Sequence, residues 1–443
     1  MIAEEFASPD PHARIAIAAL RVLFADDYGR EFGVALWDGT RVRAAEAERF
    51  VLRVTAPGAL RVAFAPPLDL SPGRAFGAGL LDAEGDLVAA VDSFYRAIAS
   101  RRARDFMRLA RLLRLLPKLQ RPRLREPRLR GRLHSQARDR AAIGFHYDQP
   151  VEFYRSFLGS KMVYSCAYFD DGIESLDDAQ AAKLDYTLRK LRLRAGERML
   201  DIGCGWGALV IRAAQLGAHA LGITLSRLQY EEARRRVDAA GVGDLARIEL
   251  RDYREMRGER FDKVVSVGMF EHVGRARFAE YFRAAYDALR PGGLFLNHAI
   301  ANESGERRDG PVGGFLGRFV FPDGELVAVS NALAAAERVG FEVRDVESLR
   351  EHYERTLRAW MGNLERNRAQ AVAAAGETSY RSWRLYLAGS AQGFASRRIG
   401  VYQSLLARPH DDGRVELPLT RRDLYAQDGR SRRMENEETG ARS

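Results

Sequence analysis

The chain has 443 residues, more than one ordinary domain needs, so two or three folded units are expected. Its only two cysteines, Cys166 and Cys204, exclude a disulfide framework and favour a reducing compartment, while a net charge of +10 draws attention to anionic partners. The acidic start carries no signal pattern and no apolar run approaches roughly 20 residues, so a cytoplasmic protein without a membrane-spanning helix is expected.

Residues 1–100 are predicted to form a separate, small α+β unit. Short alternating apolar runs predict strands and hairpins over Phe32–Leu36, Phe50–Thr55, Leu60–Phe64 and Leu87–Val91. None of these runs contains a cluster of residues suited to catalysis.

Residues 101–140 are predicted to be an arginine-rich, amphipathic linker. Fourteen arginines and one lysine stand against three acidic residues, a net charge of +12, so the rest of the chain sums to about −2. Apolar residues recur at three- and four-residue steps and predict a helix: Phe106, Leu109, Leu113 and Leu116. A basic amphipathic helix suits an anionic membrane surface. The alternatives are a hinge whose leucines pack on a neighbouring domain, and a nucleic-acid contact.

A glycine-rich turn follows a buried strand near residue 200. The run Arg198-Met-Leu-Asp-Ile-Gly-Cys-Gly-Trp-Gly207 predicts a strand that turns at Gly203 and Gly205 into an apolar helix. Such glycines let the backbone approach a ligand closely, and the first N–H groups of the helix can bind a polar or anionic cofactor. The pattern alone is shared by several nucleotide sites and by plain turns.

Strands and helices alternate after this turn. Strands are predicted at His219–Thr224, Arg247–Asp252, Phe261–Phe270 and Leu294–Ile300, with helices such as Gln229–Ala240 between them. The alternation predicts a mostly parallel sheet with helices on both faces, in which ligands bind at the carboxyl ends of the strands. The candidate functional residues fall at such ends: Asp201, Thr224, Ser226, Gln229, Asp252, Tyr253, Glu271 and His298.

The end of the second strand of this series distinguishes between cofactors. A dinucleotide-binding protein usually carries an acid there, about 20 residues after the glycines, to hold ribose hydroxyls. Here the strand end offers the neutral Thr224, Ser226 and Gln229, and the acid, Asp252, comes one strand later. These groups suit a nucleoside without a pyrophosphate, which favours S-adenosylmethionine over NAD. No lysine follows the glycines to cradle phosphates, so a P-loop is excluded.

Beyond the fifth strand the predictions concern the surroundings of the site. Asn302–Gly317 is predicted as a mobile loop, Phe341–Val346 as a sixth strand, Tyr353–Phe394 as two long helices and Ile399–Leu406 as the last strand. From Arg408 the chain is polar and charged, so residues 408–443 are predicted to form a disordered tail.

The chain resembles the cyclopropane-fatty-acyl-phospholipid synthases, a family that includes the mycolic acid cyclopropane synthases. The resemblance implies a class I methyltransferase domain over residues 141–407, with a Rossmann-like, mostly parallel seven-stranded sheet and late helices that wall a slot for an acyl chain. The stretches that carry it are Phe145-His-Tyr-Asp148, Tyr164-Ser-Cys-Ala-Tyr-Phe169, Asp201-Ile-Gly-Cys-Gly-Trp-Gly207, Thr224-Leu-Ser226, Gly268-Met-Phe-Glu-His-Val-Gly274, Val320-Phe-Pro-Asp-Gly-Glu-Leu326 and His352-Tyr353.

The resemblance also implies a reaction. The methyl group of S-adenosylmethionine is transferred to the double bond of an unsaturated acyl chain of a phospholipid, and a cyclopropane ring closes once a proton leaves the new methyl group. A bound bicarbonate ion is expected to act as the base, and no metal is expected. Tyr168 and Phe270 are expected to stabilise the cationic centre through their π faces. The residues that match the family's catalytic positions are Cys166, Glu271, His298, the backbone of Ile300, and Tyr353.

The cofactor site follows from the same resemblance and from the strand ends. Tyr147 and Ser165 are expected at the methionine end of S-adenosylmethionine. The remaining members of the predicted site are Asp201, Gly203, Gly205, Thr224, Ser226, Gln229, Asp252 and Tyr253.

The resemblance finally implies partners: an unsaturated phospholipid, an anionic membrane surface on the cytoplasmic side, and a second copy of the chain in a homodimer. The N-terminal unit is similar in size to the sterol-carrier-like modules of many family members, so membrane docking or dimer assembly is expected of it.

Three alternatives remain open from the sequence. Loss of a proton without ring closure gives a methylene branch, which a flavin reductase could convert to a methyl branch, and residue types do not separate the two outcomes. A nucleic-acid methyltransferase would want an Asn/Asp-Pro-Pro-aromatic motif where this chain has Met269-Phe-Glu271, so nucleic acid is not expected. A catalytically silent lipid-binding protein is disfavoured by the joint presence of Cys166, Glu271, His298 and Tyr353.

Overall fold

A computed structural model describes residues 10–147, 149–256, 258–303 and 310–425 of the chain. Within them, a four-stranded sheet occupies the N-terminal part and a seven-stranded sheet the later part, with a two-stranded ribbon beside it. None of the described helices is long and apolar enough to cross a bilayer. Asp148, from one of the quoted motifs, lies outside the described residues.

The N-terminal part is α+β, as predicted. Its sheet has the strand order β2-β1-β3-β4, with an antiparallel hairpin between β1 and β2 and a parallel pair between β1 and β3. The elements are α1 (Pro11–Phe24), β1 (Phe32–Leu36), β2 (Arg41–Val42), β3 (Phe50–Val54), α2 (Ala59–Ala63), α3 (Ser71–Gly77), β4 (Leu81–Gly85) and α4 (Leu87–Ser100).

Two predicted strands of this part are wrong. Residues 60–64 lie largely in α2, and Leu87–Val91 begins α4. The Asp86 side chain caps α4 by accepting a hydrogen bond from the N–H of Ala89 at 3.0 Å, which fixes a helix start where five apolar residues alone could also have formed a strand.

The arginine-rich segment contains the predicted amphipathic helix, α5 (Ala103–Leu115). Leu109, Leu113 and Leu116 are buried in the same hydrophobic cluster as α1, so the apolar stripe is covered by the N-terminal part rather than free to enter lipid. The opposite face is exposed and carries arginines together with Met107 and Leu115, whose exposed fractions are 57% and 61%. The hinge alternative therefore accounts for the leucines, while the arginines still face solvent.

The larger sheet confirms the predicted fold class. Its strand order is β12-β13-β9-β8-β5-β6-β7, in which β13 is antiparallel to both of its neighbours and the other six strands, including β12, run in one direction. The strands are β5 (Arg198–Ile202), β6 (His219–Thr224), β7 (Ala246–Leu250), β8 (Phe261–Val267), β9 (Leu289–Asn302), β12 (Glu342–Ser348) and β13 (Ile399–Ala407). The two-stranded ribbon is β10 (Gly310–Pro311) and β11 (Glu325–Leu326).

Helices and short turns connect these strands. The helices are α6 (Gln136–Tyr147), α7 (Val151–Arg155), α8 (Leu176–Lys190), α9 (Ala208–Gln215), α10 (Arg227–Ala239), α11 (Phe278–Ala288), α12 (Gly314–Phe319), α13 (Val329–Val339), α14 (Arg350–Arg366), α15 (Arg368–Ala375), α16 (Glu377–Ala395) and α17 (Arg422–Tyr425). Three helices, α14 to α16, therefore stand where two long helices were predicted. Helical structure is interrupted at Asn367 and at Gly376, whose φ is +82°. In the predicted loop Asn302–Gly317, residues 304–309 lie outside the described residues, and part of α12 follows.

The predicted disordered tail is wrong for residues 408–425. Val415 and Leu417 pack against the sheet core and Leu424 is buried. The guanidinium of Arg192 binds the carboxylate of Asp423 through two hydrogen bonds, of 2.7 and 3.2 Å. A polar segment can be ordered when a few of its apolar side chains and ion pairs bind it to the surface of the folded domain. Residues 426–443 lie outside the described residues.

The N-terminal sheet is attached to the later part through α16. Arg381 and Arg384 of this helix both bind the carboxylate of Asp82 in β4 at 2.8 Å, and Arg384 also donates to the carbonyl oxygen of Ala83 at 2.7 Å. One continuous hydrophobic cluster contains core residues of α1 and of the N-terminal sheet together with Trp360 and Leu387 from α14 and α16. The two sheets thus share the helices expected to wall the acyl slot.

Candidate functional site

A cleft of about 1110 Å³, including its mouth, opens at the carboxyl ends of β5, β6 and β8, where the sheet order changes direction. The chain leaves β5 through Gly203, whose φ is +86° and whose added Cβ would lie 3.0 Å from the Cβ of Met269. Only glycine fits this turn without strain. Gly207, at φ +80°, then begins α9, so the glycine turn forms the floor of the cleft as the sequence predicts.

Eight of the ten predicted cofactor residues line this cleft. They are Tyr147, Ser165, Asp201, Gly203, Gly205, Thr224, Gln229 and Tyr253. Thr224 donates from its hydroxyl to Oε1 of Gln229 at 2.9 Å, which holds the amide of Gln229 on the cleft wall.

Ser226 and Asp252 do not line the cleft. Ser226 caps α10, where its side chain accepts from the N–H of Gln229 at 3.3 Å. Asp252 is 2% exposed, and its two carboxylate oxygens accept hydrogen bonds from Nε and Nη2 of Arg254 at 2.8 and 2.7 Å. The acid expected to hold the cofactor is therefore bound by an arginine two residues later, and the same guanidinium donates to Asp139 at 3.1 Å.

Lys183 is a cleft residue that sequence reasoning missed. Its ammonium is 3% exposed and donates to the hydroxyl of Ser165 at 3.0 Å, and burial lowers its pKa to about 8. A signal was available: Gln180, Lys183 and Thr187 stand on the buried stripe of α8, and polar residues at helix core positions are rarely there for packing alone.

Four of the predicted catalytic residues form a second group beside the cleft, which we call the reaction cluster: the buried Cys166, Glu271 and His298 and the partly buried Tyr353. None of the four is among the residues that line the cleft. Glu271 lies in the short turn after β8 and accepts the backbone N–H of Ile300 on Oε1 at 2.7 Å. This bond places the carboxylate beside β9, the strand that carries His298 two residues before Ile300. Burial raises the pKa of Glu271 to about 7, and its Oε2 is buried without a hydrogen-bond partner among the described residues.

His298 is held by a residue that the sequence did not point to. Gln403, its cross-strand neighbour on β13, places Nε2 3.2 Å from Nδ1 of the imidazole. An amide N–H that donates to Nδ1 leaves the proton of a neutral imidazole on Nε2. Burial lowers the pKa of His298 to about 3, so the ring is neutral. Its Nε2 is likewise buried with no partner in the described part of the chain.

Cys166 and Tyr353 meet at the start of α14. The thiol of Cys166 donates to the carbonyl oxygen of Leu349 at 3.6 Å, and the N–H of Tyr353 donates to the same oxygen at 3.0 Å. Burial raises the pKa of the Cys166 thiol far above its usual range, so the sulfur stays protonated and is not a nucleophile. Burial likewise raises the pKa of the Tyr353 hydroxyl, with smaller contributions that include the charge of Glu271, so the phenol stays protonated and can donate a hydrogen bond.

Aromatic rings surround the reaction cluster, but not the two predicted ones. Tyr168 stacks on His352 at 4.8 Å, and Phe270 stacks on Phe278 at 4.3 Å in a different core cluster. Instead the hydroxyls of Tyr164 and Tyr386 are 3.1 Å apart, and the rings of Tyr164, Tyr147, Tyr154, Trp206, Trp360 and Trp383 pack around them. These rings pack against one another, and we call them the aromatic chamber.

The chain is similar in sequence and in fold to known proteins. A model of the mycolic acid cyclopropane synthetase family matches residues 134–404. A probable fatty acid methyltransferase of Pseudomonas putida is 41% identical over 88% of this chain and 95% of its own length, and one of Mycobacterium tuberculosis is 35% identical over 92% and 98%. The solved structure of the mycolic acid cyclopropane synthase CmaA1 complexed with SAH and CTAB is 34% identical, with a TM-score of 0.57 over 60% of this chain and 97% of that one.

The family match covers more than half of the chain, and one relative is 41% identical over nearly all of it. The sheet order, the glycine turn and the cleft above it agree with that match. The chain therefore belongs to the mycolic acid cyclopropane synthetase family and is an S-adenosylmethionine-dependent methyltransferase of class I fold.

Proposed function

We propose that the protein transfers the methyl carbon of S-adenosylmethionine to the double bond of an unsaturated phospholipid acyl chain and closes a cyclopropane ring. The observation that carries this proposal is the pair of buried, unpartnered polar atoms in the reaction cluster, Oε2 of Glu271 and Nε2 of His298. An unmatched buried polar atom costs about 1–3 kcal/mol, so two of them beside a cofactor cleft are expected to meet a ligand or a reacting group.

These two atoms fit a bicarbonate ion. The neutral His298 offers an Nε2–H donor to an anionic oxygen, Tyr353 offers a hydroxyl donor, and ionised Glu271 can accept the hydroxyl proton of the ion. The N–H of Ile300, which the sequence assigned to the ion, donates to Glu271 instead, so it would act by fixing the carboxylate. When bound there, such an ion supplies a base that is not attached to the chain.

The protein's own contribution is to exclude water and to place charge. A bound S-adenosylmethionine supplies an electrophilic methyl group. The alkene is a weak nucleophile, so the aromatic chamber must hold it in line and keep water from capturing the cation that forms on the acyl chain. The rings of Tyr164 and Tyr386 present π faces that stabilise positive charge. Glu271 relays the proton that leaves the new methyl group.

A second outcome, a methylene or methyl branch, is favoured by a specific observation. The two relatives that match nearly the whole chain, including the N-terminal part, are named probable fatty acid methyltransferases. The same reaction cluster would serve that product, with a flavin reductase as the partner that removes the double bond.

The membrane surface and the homodimer remain proposals. The exposed face of α5 supports the first, because its arginines lie beside exposed Met107 and Leu115, a combination that suits an anionic lipid surface. The phospholipid substrate would then be reached at that surface.

Mass spectrometry of lipids tests the proposal. The protein is incubated with S-adenosylmethionine and vesicles of monounsaturated phospholipid, with and without bicarbonate. An acyl chain one methylene heavier that resists mild hydrogenation is the expected product. A heavier chain that takes up hydrogen would establish the branched alternative, and the absence of any heavier lipid while S-adenosylmethionine stays intact would overturn both.

A further inference from the structure

His134 is a buried histidine two residues before α6, and it is not among the residues that line the cofactor cleft. It is 4% exposed, and its backbone φ of +56° lies in the left-handed region. Its ring packs on Gly274 so closely that a Cβ added to this glycine would lie 2.2 Å from the imidazole. A residue in this strained conformation persists only where its surroundings hold it, so the ring contacts of His134 are expected to compensate for the strain.

Both ring nitrogens of His134 face carboxylates. Nε2 is 3.4 Å from Oε1 of Glu325 on β11, and Nδ1 is 3.6 Å from Oδ1 of Asp139 on α6, so both are ion-pair distances. A neutral imidazole carries one proton and would turn a lone pair toward one of these acids, whereas an imidazolium offers an N–H to each. The geometry therefore suits the protonated ring. Asp139, and Glu325 to a smaller extent, raise the pKa of His134 above its usual 6.5, although burial opposes them.

The other charged groups around this ring have partners of their own. Asp139 also accepts from Arg254 at 3.1 Å, and Oε2 of Glu325 accepts from the backbone N–H of Arg275 at 2.8 Å. His272 lies close enough to act on the ring, but burial lowers the pKa of His272 to about 3, so it is neutral. Two further ion pairs surround the ring: Arg138 with Asp323 at 2.6 Å and Arg254 with Asp252 at 2.7 Å. Since histidine is the side chain that changes charge near neutral pH, His134 is the group expected to gain and lose a proton here.

The helix α6 forms one wall of the cofactor cleft. Its residues Asp139, Ile143 and Tyr147 line the cleft, and the hydroxyl of Tyr147 is 3.5 Å from Nε2 of His272 in the turn after β8. Asp139 therefore takes part both in the lining of the cleft and in the ion pair with His134. A contact that fixes Asp139 also fixes the wall against which a ligand of the cleft binds.

Three residues, which we call the histidine latch, join this wall to the two-stranded ribbon: His134, Asp139 and Glu325. We propose that protonated His134 holds α6 over the cleft by binding Asp139 and Glu325 at once, so that this proton strengthens the binding of S-adenosylmethionine and slows the release of S-adenosylhomocysteine. The inference rests on the proposed function, in which this cleft binds both ligands. His134 is a positioning residue, because it acts through Asp139 and α6 and not on the reacting atoms.

The direction of the pH dependence follows from the raised pKa of His134. The arrangement that binds the ligand is also the one that binds the proton, so each strengthens the other by the same factor. The effect is complete below the usual pKa of about 6.5 and is lost as pH rises through the raised pKa. Without the proton, one ring nitrogen turns a lone pair toward a carboxylate, and the repulsion loosens α6.

Calorimetric titration of the full chain with S-adenosylhomocysteine at about pH 6 and about pH 9 tests the latch. In His134→Gln, affinity at the lower pH should be about 5- to 20-fold below that of the unmodified chain, and the two should agree within about twofold at the higher pH. Lys183 and Glu271 also change charge in this range, but they do so in both proteins, so the ratio of the two affinities isolates His134. His219→Gln, at an exposed histidine where β6 begins, is the matched control and should behave like the unmodified chain.

Proton NMR of the histidine rings gives an independent measurement. Because the coupling is reciprocal, S-adenosylhomocysteine should raise the pKa of His134 in the unmodified chain. Glu325→Gln removes one of the two acids, so it should lower the pKa of His134 and weaken binding at about pH 6.

Three results would overturn the latch. A loss of the same size at both pH values in His134→Gln would mean that the ring only supports the fold, and an unchanged affinity at both would mean that α6 does not need it. If the variant does not fold, a His134 pKa that S-adenosylhomocysteine leaves unchanged in the unmodified chain overturns the latch. Failure of the unmodified chain to bind S-adenosylhomocysteine at either pH would instead contradict the proposed function, and it is visible before any variant is made.

Discussion

The cofactor cleft and the reaction cluster lie side by side, yet they treat polar atoms in opposite ways. In the cleft several polar groups are already matched within the protein, such as Thr224 with Gln229 and Arg254 with Asp139. In the reaction cluster Oε2 of Glu271 and Nε2 of His298 are buried and have no hydrogen-bond partner among the residues that the structure describes. Matched groups hold a shape at little cost, whereas unmatched buried groups cost stability and remain available for chemistry. Binding and reaction should therefore respond to different substitutions.

Glu271→Gln is expected to show the largest difference between its effect on the methylation rate and its effect on affinity for S-adenosylhomocysteine. Loss of the carboxylate should lower the rate of lipid methylation about 10²- to 10⁴-fold, the range for a group that transfers a proton in the transition state. Affinity for S-adenosylhomocysteine should stay within about threefold, because Glu271 does not line the cleft. Glu280→Gln, at an exposed acid on α11, is the control and should leave both unchanged. A parallel loss of affinity and rate would break the distinction between the two regions.

The same variant should also show how much the buried, unpaired carboxylate of Glu271 lowers the free energy of unfolding. The pKa of Glu271 is raised from 4.5 to about 7, so the folded protein keeps this proton up to about pH 7 while the unfolded chain releases it near 4.5. The unmodified protein therefore loses stability as pH rises through that window. Glu271→Gln, which stays neutral, should be more stable above pH 7 by about 3 kcal/mol and equally stable at pH 4. Urea unfolding at both pH values measures this, and a difference independent of pH would contradict it.

A smaller effect is expected for Gln403→Leu. Without the amide N–H, Nδ1 of His298 loses the donor that keeps the imidazole proton on Nε2. The methylation rate should fall about tenfold, the value of one hydrogen bond, with unchanged affinity for S-adenosylhomocysteine. Nitrogen NMR of the histidine ring should show a shift in the tautomer population. A rate loss with the tautomer unchanged would mean that Gln403 acts only by packing.

The smallest effect is expected for a substitution in the cofactor cleft. Thr224→Val removes the hydroxyl that holds Gln229, so affinity for S-adenosylhomocysteine should fall about fivefold. The methylation rate at saturating S-adenosylmethionine should not change. Gln403→Leu is expected to do the opposite, since it lowers the rate and leaves the affinity unchanged. Steady-state kinetics at varied cofactor concentration separates the two, and a lower saturating rate would show that the cleft also positions the methyl group.

The sequence was sufficient where a function depends on neighbours along the chain. The glycine turn, the strand alternation and the residues at strand ends could be predicted because each is a local pattern. The pairing of Asp252 with Arg254 could not be predicted, because it depends on how one turn folds back. Gln403 could not be assigned, since its role depends on the register between strands 105 residues apart. Lys183 offered only the weaker signal of a polar residue on the buried stripe of α8.

The ion pairs of Arg381 and Arg384 with Asp82 have a consequence for how the protein unfolds. Because α16 is held by the N-terminal sheet and also contributes to the core around Trp360, neither part has a complete surface of its own without the other. Heating should then melt the N-terminal sheet and the helices of the acyl slot in one cooperative transition. A chain cut near residue 100 would leave α16 with an exposed apolar face, and its two arginines would keep Glu377 and Glu365 but lose Asp82.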